Sequence, residues 1–281
     1  MSILAQKATF AAGEVAKVPA FIRRDLLVAL SYRTAFVGDV VGLGTQVVLF
    51  YFVGQMVEAG SVPSYAGTQA SYLEFVAIGI AVGVFVQVGL MQVSVALRNE
   101  QLMGTLESIF VTPTSTTTIQ LGSVAYDLVY VPIRTGVFLV ITALAFGLDF
   151  HASGLLPSVV MLLLFVPFIW GLGLIGAAAV LTFRRGGGVT AVFGIVLTLG
   201  SGAYFPLDLL PSWAEQLAEW NPIAITVDAM RLALIGGEGW SALGTDALIV
   251  AGAAAVSMLV GLTCFRISLR YERVRGTLGL Y

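Results

Sequence analysis

Runs of mainly apolar residues long enough to cross a bilayer recur six times: Ala35 to Val57, Tyr72 to Leu97, Ile119 to Gly147, Leu155 to Phe183, Val189 to Phe205 and Ala247 to Phe265. A transmembrane helix needs about 20 such residues, so the pattern predicts an all-α integral membrane protein with six transmembrane helices. Composition agrees, with 58% hydrophobic and 11% charged residues against roughly 45–50% and 25% in soluble domains. We divide the 281 residues into a tail with an amphipathic helix, 1–34, and a single six-span domain, 35–281.

An even number of spans puts both termini on one side, and cytoplasmic connections carry the excess of Lys and Arg. Lys7, Lys17, Arg23, Arg24 and Arg33 precede the first span, Arg98 lies in the second connection, and Arg184 and Arg185 lie in the fourth. Arg266, Arg270, Arg273 and Arg275 follow the last span, so twelve of the fourteen cations fall on the side of the termini. The expectation is a multi-pass protein of the cell (inner or plasma) membrane with both termini cytoplasmic. Arg134, within a span, and Arg231, outside, are the exceptions. No N-terminal run reads as a cleavable signal core. Within Pro19 to Arg33, Ile22, Leu26, Ala29 and Leu30 form one stripe and Arg23, Arg24 and Ser31 lie off it, the pattern of a helix in the headgroup layer.

Two non-spanning stretches carry more pattern than a loop needs. In Arg98 to Ser115, Leu102, Leu106, Ile109 and Phe110 share a helical face while Glu100, Gln101, Thr105 and Glu107 occupy the rest, and Pro113 ends the helix. A short cytoplasmic helix over 100–112 is predicted. Gly104 sits inside it at a cost of about 1 kcal/mol relative to alanine, which suits close approach of a partner surface. The second stretch, 212–236, reads as two short outer helices. Ser212 to Glu215 forms a capping box, Trp213, Leu217 and Trp220 share a face, and Asn221-Pro222 separates the helices. Asp228 and Arg231 then pair at i, i+3 before Gly236-Gly237. An interfacial anchor and a re-entrant hairpin capping an exit path are both compatible with this pattern.

Several functions are excluded. A P-loop needs Gly-Lys followed by Ser or Thr to cradle phosphates, yet the lysines follow Gln6 and Ala16. Cys264 and His151 are the sole residues of their types and suggest no metal site. The net charge of −2 leaves no basic face for nucleic acid. Asp39, Asp127 and Arg134 are ionisable residues inside spans, marking either charge pairing or a transport path. Asp127 and Arg134 share a face, with Pro132 between them. Tyr126, Tyr130 and Phe138 line a path or simply pack. Gly38 and Gly42, and Gly79 and Gly83, recur at the spacing that lets helices approach closely, within the chain or across a dimer. A proton-coupled secondary transporter and a membrane anchor are the alternatives to a driven permease, although the two halves show no evident repeat.

Glu100, the core Gly104-Thr105-Leu106-Glu107 and Pro113 resemble the cytoplasmic coupling segment of ATP-binding-cassette (ABC) transporter permeases of the type-two exporter (ABC-2) family. Phe205-Pro206, Leu210-Pro211, Trp213, Asn221-Pro222 and Arg231 match the series that precedes the last span in the same family. The resemblance implies a half-transporter that pairs with a second permease subunit, identical or homologous, and is driven by a separate ABC ATPase. ATP and Mg would bind that partner, with no cofactor in this chain. The implied cargo is amphipathic, lipid-like, drug-like or a lipid-linked saccharide. Glu100, Gly104, Thr105, Leu106, Glu107, Phe110 and Pro113 become the ATPase-coupling residues, and Pro206, Pro211, Trp213, Asn221, Pro222 and Arg231 the outer gate. Because no P-loop is present, the isolated chain is expected to hydrolyse no ATP. Vanadate-sensitive turnover by the purified polypeptide alone would refute this.

Overall fold

The computed structural model describes residues 18–31, 33–57, 62–102, 116–183 and 187–275. In chain order the helices are α1 (Val18–Ser31), α2 (Arg33–Gly54), α3 (Tyr72–Leu102), α4 (Thr116–Phe146), α5 (Leu155–Phe183) and α6 (Gly187–Leu199). They are followed by α7 (Ser212–Glu219), α8 (Pro222–Leu234) and α9 (Trp240–Arg275). A two-residue antiparallel ladder, β1 (Ser64–Tyr65) with β2 (Thr68–Gln69), joins α2 to α3. Its Ala66-Gly67 turn has positive φ at both positions, 49° and 80°, as a tight hairpin matched to strand twist requires.

Among the described residues, three stretches are long and apolar enough to cross a membrane: Tyr72–Gln92, Ala152–Thr182 and Trp240–Tyr271. Gly44–Gly54, Tyr130–Phe146 and Thr190–Leu199 are shorter apolar helices. The architecture is therefore that of an all-α, multi-pass membrane protein.

α3 is its axis. Phe75 to Val82 are all buried, with Val86 and Leu90 beyond them, because α3 packs against α4, α5, α6 and α8 at once. A helix enclosed on every side is apolar all round. α9 lies along α5 through a seam of small residues. A Cβ on Gly171 would strike the backbone of Ser257, and one on Gly261 would strike the carbonyl oxygen of Gly171. Ser257 Oγ donates to Phe168 O at 3.1 Å, and Ser268 Oγ to Ala178 O at 3.1 Å. Close backbones and hydroxyl–carbonyl bonds replace the hydrophobic driving force that lipid cannot supply. α1 packs on α4. Exposed Val41 and Phe52 on α2, Leu144 on α4 and Leu248 on α9 form the apolar exterior.

Three local readings of the sequence are corrected. α3 continues to Leu102, since nothing from Arg98 to Leu102 breaks a helix, so Glu100 belongs to its last turn rather than to a separate helix. α6 stops at Leu199 although the apolar run continues to Phe205; at 13 residues it is about 20 Å long, short of the roughly 30 Å hydrocarbon layer. The capping box at Ser212 is absent. Pro211 is the N-cap of α7, its carbonyl accepting from Ala214 and Glu215, so Ser212 is already inside the helix and no side chain caps it. The reciprocal box stands instead at the start of α3, where Ser71 N donates to Glu74 Oε2 at 2.8 Å and Glu74 N to Ser71 Oγ at 3.2 Å.

The seam yields a paired test. Gly171→Ala should destabilise the protein by about 1–3 kcal/mol through overpacking, whereas Gly38→Ala should be neutral or mildly stabilising, since no atom lies within 4 Å of its added Cβ. Unfolding in mixed micelles by increasing SDS measures both.

Candidate functional site

The site grows out of the early end of α6. Gly200 to Pro206 follow as a turn, with Gly202 at φ +66°, a conformation that disfavours side chains with a Cβ. This turn is non-helical backbone among apolar helices, where each unpaired carbonyl is costly. Two side chains from α8 and its cap take up those carbonyls. Asn221 Nδ2 donates to Leu197 O and to Gly200 O, both at 3.3 Å, while its Oδ1 caps α8 by accepting from Ile223 N at 3.1 Å. Pro222, at the first position of α8, has no N–H to satisfy.

Arg231 does the rest. Its Nη2 donates to Gly202 O at 2.9 Å, Ala203 O at 3.2 Å and Phe75 O at 3.0 Å, and its Nε to Phe75 O at 3.2 Å. Nη1 bonds Asp228 Oδ1 at 3.2 Å, and the guanidinium carbon stands 3.4 Å from the centre of the Phe75 ring. The residue is 1% exposed. A planar cation with five fixed donors suits this cluster of carbonyls as an ammonium does not. The Asp228 partnership is the one expected from i, i+3 spacing; the remaining bonds run to α3 and the turn, not to α7. Tyr65, in the hairpin, bonds the same two side chains, its hydroxyl accepting from Arg231 and donating to Asp228, and burial pushes its phenol up to about 12, so it is neutral at ordinary pH.

With the turn held, Tyr204 is fixed. Its ring stacks on Phe50 at 5.5 Å, its carbonyl accepts from Tyr72 Oη at 3.3 Å, and its hydroxyl hydrogen-bonds Gln46. α3 meets the turn through glycine: a Cβ on Gly79 would strike Ala203 O, and one on Gly83 would lie 3.2 Å from the Thr198 methyl. Gly79 and Gly83 thus serve packing within the chain, while Gly38 and Gly42 face open space.

Between α2, α3 and α6 these contacts leave a cavity of about 280 Å³ lined by Gln46, Gly83, Val84, Gln87, Ile195, Thr198, Leu199 and Tyr204. Gln87, Ile195 and Leu199 are exposed, so it opens on the surface of the chain. Among the described residues, no Asp, Glu, Lys, Arg or His lines it.

The residues singled out from sequence divide accordingly. Asn221, Pro222 and Arg231 converge on the turn; Pro206 is buried at its end, while Pro211 and Trp213 are exposed at the start of α7. Tyr130 is half-buried against the core, and Arg134 is half-buried and has an interaction partner. The side chains of Asp39, Tyr126, Asp127 and Glu100, and all of Gly104, Thr105, Leu106, Glu107, Phe110 and Pro113, lie outside the described residues. Gln46, Gln87, Thr198 and Tyr204 escape sequence reasoning. The signal for the two glutamines is an uncharged amide in mid-span, which a search for ionisable residues passes over.

The model of a family described as ABC-2 type transporter matches residues 18–235. No curated protein matches the sequence.

Arg231→Ala, which leaves the carbonyls of Gly202 and Ala203 without this donor and strips the second one from Phe75 O, should destabilise the protein by about 3–5 kcal/mol. Arg231→Lys should recover only part of that, since one compact ammonium cannot span the three carbonyls. Equal stability of wild type and Arg231→Ala in SDS unfolding would contradict this account.

Proposed function

The chain belongs to the ABC-2 type transporter family and is a permease subunit of an ABC transporter; from that premise we propose that it forms the outward path of an ATP-driven exporter. It pairs with a second copy or a homologous subunit and with a separate ABC ATPase that binds ATP and Mg. In this proposal α6 and the turn 200–206 together complete the fifth crossing, which gives six spans with both termini in the cytoplasm of a cell (inner or plasma) membrane protein and outer helices over 212–236.

The observation that carries this reading is the polar cavity on an otherwise apolar flank. Gly83 and Gln87 lie about 16 and 22 Å along α3 from Tyr72, within the depth of a hydrocarbon layer about 30 Å thick. Polar groups at that depth belong in a water-filled or protein-lined path rather than against lipid. The open flank beside Gly38 and Gly42 of α2 suits close approach of a second subunit. The re-entrant pair α7–α8, with Pro206, Pro211, Trp213, Asn221, Pro222 and Arg231, roofs the path as an outer gate. Proton coupling gains nothing from the described lining of this cavity, which holds no carboxylate, imidazole or amine.

The segment 100–112 receives the ATPase, with Glu100, Gly104, Thr105, Leu106, Glu107, Phe110 and the stop at Pro113 as its contact residues. Closure of the ATPase pair on ATP then moves the spans through this lever. Gly104→Leu and Glu107→Arg should leave insertion and folding unchanged and lower ATPase co-purification or transport by about tenfold or more, the equivalent of one lost charge-assisted contact. Normal assembly together with normal transport in both variants would overturn the coupling role.

A further inference from the structure

We infer that the cavity between α2, α3 and α6 receives the uncharged, hydrogen-bonding head of an amphipathic substrate, a hydroxyl- or amide-bearing group about the size of one ring, and discriminates against charged heads. The inference rests on the permease reading and names the class of its cargo.

The donor set decides the class. Gln46 and Gln87 each offer an amide carbonyl and an NH₂, and Thr198 and Tyr204 each a hydroxyl. Some of this capacity is already used: Gln46 bonds Tyr204, and Thr198 Oγ1 donates to Gly194 O at 2.9 Å. Gln87 is different, for its side chain is exposed and makes no hydrogen bond to a described residue. An amide without a described partner at this depth matches a group that both gives and accepts hydrogen bonds, as a hydroxyl or an amide does.

A phosphate or carboxylate only accepts, and an ammonium only donates. Either would also bring a charge into a site with no opposite charge among its described lining residues, and an uncompensated charge out of water is strongly disfavoured. Arg231 cannot serve, because its donors are committed to Phe75, Gly202, Ala203 and Asp228. Size fits a single small head, since 280 Å³ falls just below the roughly 300–1,000 Å³ of sites for drug-sized molecules. Val84 and Ile195 supply the apolar wall for the start of the tail.

Three photoreactive probes with the same diazirine-bearing decyl chain test this: a β-glucoside, a phosphate monoester and a primary ammonium. Each is applied to the full chain in phosphatidylcholine nanodiscs, and crosslinks are mapped by mass spectrometry. The glucoside should label peptides containing Gln46, Gln87 and Tyr204, saturably and in competition with unlabelled decyl glucoside. The charged probes should label these peptides at least about tenfold less, as for a site that requires a matched hydrogen-bonding group. Gln87→Leu should remove the glucoside label from these peptides without lowering thermal stability, and Gln87→Asn should retain part of it. Equal labelling by a charged probe, labelling indifferent to Gln87→Leu, or no label in these peptides would each overturn the inference. A failed permease reading registers elsewhere, as loss of the ATPase association, and leaves this labelling pattern unmoved.

Discussion

A guanidinium with almost no access to solvent holds the structure together at its least regular point. Hydrocarbon offers no hydrogen bonds, so a helix that ends within the bundle must find partners for its last carbonyls inside the protein. α6 ends at Leu199, and the carbonyls of Leu197, Gly200, Gly202 and Ala203 go to Asn221 and Arg231. The charge on Arg231 is stabilised in turn by Phe75 O, the Phe75 ring and the half-exposed carboxylate of Asp228. A buried cation without these contacts would be destabilising; with them it fastens α8, the turn and α3 into one unit.

That unit sets the shape around it. Because the turn lies directly on α3, positions 79 and 83 can hold no large side chain, and glycine occupies both. Because Ala203 is pinned, Tyr204 is carried against Phe50 and brought into reach of Gln46 on α2. The cavity is what remains where a full-length α6 would have filled the space. α8 is itself well anchored, with the Tyr65 hairpin against its end and His151 N donating to Leu234 O at 2.8 Å. The roof and the cavity therefore share one set of contacts, and in the proposed exporter a movement of the roof would alter the cavity wall with it.

The α5–α9 pair supplies the opposite kind of element. Its seam of Gly171, Gly261, Ser257 and Ser268 brings two long helices into backbone contact, a rigid support for the more irregular side. A membrane permease of the ABC-2 family has to combine both, since a wholly regular bundle would offer neither polar groups at depth nor an element that can change its packing.

Sequence alone determined the helical membrane class, because apolar runs of bilayer length leave the backbone little choice, and the fourth run begins where α5 begins, at Leu155. It also marked Asn221, Pro222 and Arg231, whose types are conspicuous beside apolar runs. It misplaced the end of α6, since hydropathy registers where a segment is apolar and not whether its carbonyls are satisfied by a helix or by a distant arginine. The box at Ser71 was legible as Ser-x-x-Glu, but so was the one at Ser212 that does not form; only the actual start of each helix separates them. Tertiary structure alone decided that Gly79 and Gly83 face a turn more than a hundred residues away while Gly38 and Gly42 face open space, and that Gln46, Gln87, Thr198 and Tyr204 share one cavity. Those outcomes depend on which helix faces meet across the bundle, and that is set by packing between segments that local periodicity treats as independent.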